Sequence, residues 1–441
     1  MSYGMPGKDW RFGKHFGRCL LIFLCLGIFS GSTYGQVTET LPALNYPVLV
    51  KRFDSISKSV PDWSMRNSKW KDYLQAFLTM VNNTSFLGLD GQRYHYNFLY
   101  KQVKDNDTTN IIMSDKVYLD GLISWCKDMY QGVGIDNWIR NDEVSGQSAD
   151  VDNAFILNLI ANISFVDSLM ALRQKLEPRD TAYFKLASEL KWQTYRKDRI
   201  KIDQLVSSVN LYKWIHHFNF NSMILVNIPA AHLDYYEHDS LKLDMKVVAG
   251  KPKTKSPRFS TWCYQVVLYP YWNVPKDIAV KEILPRVKRN PGTLKSMNME
   301  VISATGKVVS PQNIDWSKLN NYNFPYSFRQ CTGCENSLGV IKFNLTDPFS
   351  VYLHDTNYKL GFLKDTRFLS HGCIRVEKPY ELGNYLLDNK LDSNFLKACY
   401  KDKEPIFNDL KEKVPVFVVY MPAEFVGDSV VYYKDVYGLF R

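Results

Sequence analysis

Residues 367–380, RFLSHGCIRVEKPY, set a histidine, a glycine and a cysteine in a row, and a second histidine lies upstream in VYLHDTNY. A thiol at its ordinary pKa of about 8.5 is mostly protonated at neutral pH, so a nucleophilic Cys373 needs a base or a positive field beside it. His371 stands two positions before the sulfur, and His354 nineteen before it at the end of the apolar run SVYL. A strand ending at His354 and a returning loop would bring an imidazole over the sulfur. Gly372 leaves room for a substrate backbone. N–H groups of the Ser370–Cys373 turn are placed to stabilise the oxyanion of an acyl-transfer step. Asp355 or a backbone carbonyl is placed to orient the histidine.

The same atoms admit other chemistry. His371 and Cys373 could join Cys331 and Cys334 around zinc, although His-x-Cys is tighter than usual zinc spacings and no second paired motif exists. The CTGC at 331–334 has thiol–disulfide exchange spacing, but ENSLGVIKF turns into strand where a helix would be needed. A disulfide or two packed thiols suits it better. His371 on its own could be a packing residue that shapes the turn. Composition and spacing alone leave these readings open, with cysteine acyl transfer in front.

The elements that must position these residues divide the chain in two. Residues 36–215 read as mainly helical, with apolar residues at three- and four-residue steps in SKWKDYLQAFLTMV, DKVYLDGLISWCKDMY and NAFILNLIANISFVDSLMALRQKL. Pro178 follows the third run as a helix stop. This half reads as a scaffold or docking module. From about residue 222 short β-rich runs take over, first in MILVNIPAAHLDYYEHDSLKLDMKVVAG with a turn at Glu237–Ser240. WCYQVVLYP, MEVISATGKVV, LGVIKFNL, FSVYLHDT and VPVFVVYM follow as further strands. VPKDIAVKEILPRVKRNPG reads as a helix closed by Asn290-Pro291-Gly292, and a second helix starts at Pro379. Residues 270–325 read as an insertion suited to be a lid over a groove. The expected class is α+β, with segments 1–35, 36–215, 222–421 (insertion 270–325) and a C-terminal tail at 422–441.

Length and composition suit two or three domains: 441 residues, 45% apolar and 14% aromatic. Lys8, Arg11, Lys14 and Arg18 precede the apolar run CLLIFLCLGIF at 19–29, and small residues follow up to Gly35. That pattern is a secretory signal peptide with cleavage near Gly35–Gln36, and eleven apolar residues are short for a membrane span of roughly 20. Cys19 and Cys25 fall at the start of the run and within it, so no lipoprotein cysteine follows. The segment carries four basic and one acidic residue, so its loss takes the formal charge from +10 to +7. A moderately basic exported chain suits polyanionic surroundings such as a cell wall, and no nucleic-acid motif is present. Six cysteines remain, too few for a disulfide scaffold.

His354, then Ser370-His371-Gly372-Cys373 beginning sixteen positions on, with Arg375 beyond, resembles the signature of the L,D-transpeptidase family. ILVNIPAAHLDYYE, MKVVAGKP, YWNVPKDIAVKEILPRV, NSLGVIKFNLTDPFSVYLHDT and DVYGLF are similar to its large, lid-bearing branch, in which a helical scaffold precedes the catalytic domain. FLGLDGQRY and LEPRDTAYFKLASEL resemble that scaffold. The resemblance implies a bacterial enzyme exported to the periplasm or cell envelope and acting on peptidoglycan stem peptides. Cys373 would attack a tetrapeptide donor and release D-alanine, and a neighbouring stem's diamino acid would resolve the thioester. His354 would be the base, the turn at Ser370, His371 and Gly372 would shape the oxyanion site, and Arg375 would support it. Tyr352, Trp272 and Asn273 are substrate-binding candidates. No cofactor, metal or nucleic acid is called for, carbapenems become covalent ligands, and the helical half becomes a candidate contact for membrane-associated cell-wall synthesis proteins. The chain departs from the branch in having no evident peptidoglycan-binding module between 180 and 222 and in carrying CTGCE at 331–335. Water as acceptor would make it an L,D-carboxypeptidase; a structural cysteine would make it a non-enzymatic wall-binding scaffold.

Overall fold

Alternation along the strands decides how the two halves meet. Ile224, Val226, Val416 and Val418 point into one core, while their neighbours Leu225, Phe417 and Val419 point into another that includes Leu211, Trp214 and Ile215 of a helix. Side chains of successive strand residues face opposite sides, so these strands are buried on both faces. The computed structural model describes residues 41–57, 59–106, 110–147 and 149–440, and those from Pro42 onward pack as one unit. The expected signal segment lies outside the described residues.

The helical half begins with α1 (Pro47–Ile56), α2 (Trp70–Asn82), α3 (Tyr96–Asp105) and α4 (Ile111–Gln131). In α2 the buried residues Trp70, Tyr73, Leu74, Phe77, Leu78 and Val81 follow helical spacing. After the short α5 (Ile135–Trp138) the chain forms β1 (Asn141–Asp142). The third apolar run, read as one helix, is three: α6 (Ala149–Ala161), α7 (Val166–Met170) and α8 (Leu172–Leu176). It breaks because the Ser168 hydroxyl accepts the N–H groups of Ser164 and Phe165 at 3.1 and 3.2 Å, which restarts the chain as a capped helix. α9 (Thr181–Arg196) and α10 (Arg199–His216) form a helical hairpin, each opened by an aspartate whose carboxylate accepts a first-turn N–H.

The β-rich half starts with β2 (Ser222–Asn227), β3 (His232–Glu237), β4 (Ser240–Gly250) and β5 (Phe259–Leu268). An inserted subdomain follows: β6 (Trp272–Asn273), α11 (Lys276–Ile278), a π turn (Ala279–Ile283), α12 (Leu284–Arg289) and α13 (Thr293–Ser296). Its sheet is completed by β7 (Met299–Ser303), β8 (Val308–Val309) and β9 (Tyr326–Gln330), in the order β6-β9-β7-β8. It has its own core, with Ile283, Val287, Val301, Trp316 and Phe328.

The chain returns through β10 (Ile341–Leu345), β11 (Leu353–His354), β12 (Phe368–Ser370) and β13 (Ile374–Val376). α14 (Pro379–Leu386), α15 (Ser393–Lys397) and the long β14 (Ile406–Val419) come next. β14 pairs with both β2 and β5, which closes β5-β10-β11-β13-β4-β3-β2-β14 into a ring. The helical half is stitched to that ring by β1, which adds parallel to β5. Glu143, beside β1, accepts the hydroxyls of Thr261 at 3.0 Å and Thr346 at 2.7 Å. The C-terminal segment, read as a tail, folds into the hairpin β15 (Ala423–Val426) and β16 (Ser429–Tyr432), which joins the core formed by α9 and α10. The overall class is α+β.

Candidate active site

β11 and β13 run parallel and adjacent, with Leu353 opposite Ile374 and His354 opposite Arg375. Ile374 donates its N–H to the Tyr352 carbonyl at 3.2 Å, so the register continues back to Tyr352 and Cys373. Leu353 and Ile374 are fully buried in the barrel core. Tyr352, His354, Cys373 and Arg375 therefore share the opposite face. On the other side of β11, β10 places Lys342 opposite His354. Strand spacing and rise put the His354 and Cys373 Cα atoms about 8 Å apart on the diagonal, a separation that side chains of this size can bridge.

His354 is buried, 4% exposed, and its Nδ1 meets the Asp355 carbonyl at 2.5 Å. With Nδ1–H donating there, Nε2 carries the lone pair. Of the two candidate orienting groups, the backbone carbonyl fills the role. The Asp355 carboxylate is turned elsewhere: it accepts Val340 N–H at 3.0 Å and Thr356 N–H at 2.7 Å, and pairs with Lys359. Gly339 makes this possible, since a Cβ there would sit 2.1 Å from Asp355 Oδ2.

Burial, then the charges of Arg375 and Lys342, hold the imidazole pKa down to about 3. Burial pushes the Cys373 thiol upward, while the N–H and hydroxyl of Tyr352 and the Lys342 ammonium pull it back. Cys373 as a residue is half-buried. Tyr352 also receives the Trp272 side chain on its hydroxyl, and Lys342 Nζ lies 4.2 Å from the centre of its ring. The Arg375 guanidinium is lowered by burial, and its buried Nε has no hydrogen-bond partner.

The turn before the cysteine is held internally. Ser370 Oγ donates to the Cys373 carbonyl at 2.6 Å and accepts Gly372 N–H at 3.1 Å. Gly372 has φ +126°, a backbone angle that favours glycine. Its N–H is thus committed, and its part in the site is conformational. His371 points outward, with Nε2 2.8 Å from Glu282 Oε1 in the inserted subdomain. Asn273 is exposed and, one step along β6 from Trp272, faces the other way.

Cys334 is bonded to Cys399, and Cys331 is a free buried thiol. The CTGC pair is therefore not a disulfide with itself, and a zinc set that needs the Cys334 thiolate has lost a ligand. Lys342 and Glu282 went unnoticed as neighbours of the site. The only hint for Lys342 was a lone cation alternating with apolar residues in VIKF.

A closed barrel with a helical half on one side and an inserted, separately cored subdomain defines the class. Residues 221–418 match the family described as L,D-transpeptidase catalytic domain (YkuD). A curated Haemophilus influenzae protein, whose own assignment as an L,D-transpeptidase is provisional, is 33% identical over 224 residues. The match covers 51% of this chain and 45% of that protein, so the chain spans under half of the relative's length. Among solved structures, an L,D-transpeptidase from Mycobacterium smegmatis is 14% identical over 45% of this chain and 58% of its own, with a TM-score of 0.20. L,D-transpeptidase 1 of Mycobacterium tuberculosis is 13% identical over 45% and 61%, with a TM-score of 0.19. At those scores neither superposition bears on the site.

Proposed function

We propose that this chain is an exported L,D-transpeptidase of the bacterial cell envelope that cross-links peptidoglycan stem peptides through a Cys373 acyl-enzyme. His354 Nε2 takes the thiol proton as the sulfur attacks the carbonyl of the tetrapeptide donor. The Cys373 and His371 N–H groups receive the oxyanion, because the Gly372 N–H is engaged by Ser370. As the C–N bond breaks, the imidazolium returns the proton to the departing D-alanine amine. The side-chain amine of a neighbouring stem then attacks the thioester, gives a proton to His354, and the sulfur leaves as thiol. Arg375 and Lys342 supply positive field at the same face, and Trp272 and Tyr352 wall the sulfur on the side of the inserted subdomain.

The observation that carries this reading is the shared strand face: Tyr352, His354, Cys373 and Arg375 on two paired strands, with the imidazole's other nitrogen tied to a carbonyl. The tests are intact mass after carbapenem exposure and, with untreated protein, incubation with disaccharide-tetrapeptide. One covalent adduct on Cys373 and cross-linked dimers are expected. Tripeptide alone would make water the acceptor and the enzyme an L,D-carboxypeptidase. An unmodified but alkylatable thiol would reject the acyl-enzyme.

A further inference from the structure

The last described residues reach back to the nucleophile turn. Tyr437 is 5% exposed, and its hydroxyl donates to the Gly250 carbonyl at 2.8 Å and accepts the Ser256 N–H at 3.1 Å. Ser256, itself 2% exposed, accepts the Gly250 N–H at 3.0 Å and donates its hydroxyl to the Gly372 carbonyl at 2.6 Å. Tyr437 is held in turn. Its N–H donates to the Tyr420 hydroxyl at 3.1 Å, and its carbonyl accepts Lys255 Nζ at 2.6 Å. Its ring lies against Phe368 and Tyr420.

The Gly372 carbonyl and the Cys373 N–H belong to one planar, trans peptide unit, so they point in opposite directions. A hydroxyl that pins the carbonyl oxygen also sets where the N–H points. Gly372, at φ +126°, has no side chain to restrain that plane from within. We infer that Tyr437 is a positioning residue: through Ser256 it fixes the 372–373 peptide plane and so aims the Cys373 N–H at the developing oxyanion. This role rests on the acyl-enzyme reading and extends it to a residue 64 positions beyond the nucleophile.

The test compares two reactions of the same sulfur. Carbapenem acylation forms an oxyanion, whereas alkylation by iodoacetamide displaces a halide and forms none. Tyr437→Phe keeps the ring and loses the hydroxyl, and Ser256→Ala loses the pin itself. Each is expected to slow acylation about tenfold to hundredfold, a fraction of the loss for deleting an oxyanion donor outright, with alkylation changed less than twofold. Ser256→Thr, which keeps a hydroxyl, is expected to recover acylation. Equal loss of both reactions, or loss of neither, overturns the inference. A wild-type chain that is alkylated but never acylated overturns the acyl-enzyme reading, and the positioning role falls with it.

Discussion

A buried imidazole held near pH 3 beside a thiol pushed upward rests as two neutral groups, not as a thiolate facing an imidazolium. In the proposed acyl-enzyme mechanism the sulfur is then activated only as it attacks, when His354 removes its proton. The sign of the pH dependence follows. His354 stays in its basic form at every pH above about 3, so the acid limb of acylation is displaced far below the ordinary histidine value of about 6.5. Carbapenem acylation is expected to be flat between pH 5 and 7, measured by stopped flow; a limb with its midpoint near 6.5 would contradict this. His354→Gln is expected to slow acylation by about 10²–10⁴-fold over the same range. The approach of His354 to Cys373 was legible in the sequence because the motif places them by spacing. Lys342 was not, because its neighbourhood depends on the β10–β11 register, which no one-dimensional spacing encodes.

The inserted subdomain touches the turn before Cys373 through the His371–Glu282 pair. Both side chains are substantially exposed, 35% and 44%. An exposed pair of this kind contributes at most about 1 kcal/mol. If the inserted subdomain serves as a lid, a fastening of that size would open for substrate while favouring the closed arrangement. His371→Gln or Glu282→Gln is expected to raise the rate of Cys373 alkylation by about two- to fivefold, the exchange corresponding to up to 1 kcal/mol. A rate equal to that of the wild type would show that the joint does not govern access. At this scale the sequence showed most strands and the long helices, since period two and period 3.6 are local properties. It hid β1, a two-residue strand inside a helical region whose reason to exist is a partner more than a hundred residues away. It also hid the break at 162–165, where a serine hydroxyl competes with the helix for backbone donors.

Across the whole molecule, Cys334–Cys399 ties the segment leaving the inserted subdomain to the loop after α15 across 65 residues. Removing it with Cys399→Ser is expected to cost about 2–4 kcal/mol by denaturant unfolding, while Cys331→Ser, which breaks no covalent link, should cost less. A larger cost for Cys331→Ser than for Cys399→Ser would argue for the pairing within CTGC. Neither the disulfide partner nor the closing of the barrel could be read from the chain, because both are choices among distant segments that local patterns leave equivalent.

β14 completes the ring by pairing with two strands at once, and it lies near the end of the polypeptide. A nascent chain that has emerged only as far as α15 holds β2 and β5 as two unmatched borders, each able to recruit a stranger. Proteolytic loss of residues 412–441 would reopen the ring and take away Tyr437, whose hydroxyl holds Ser256 against the Gly372 carbonyl. Damage to that segment would therefore be registered twice, as stickiness and as a loosened turn before Cys373, before any residue of the motif had changed.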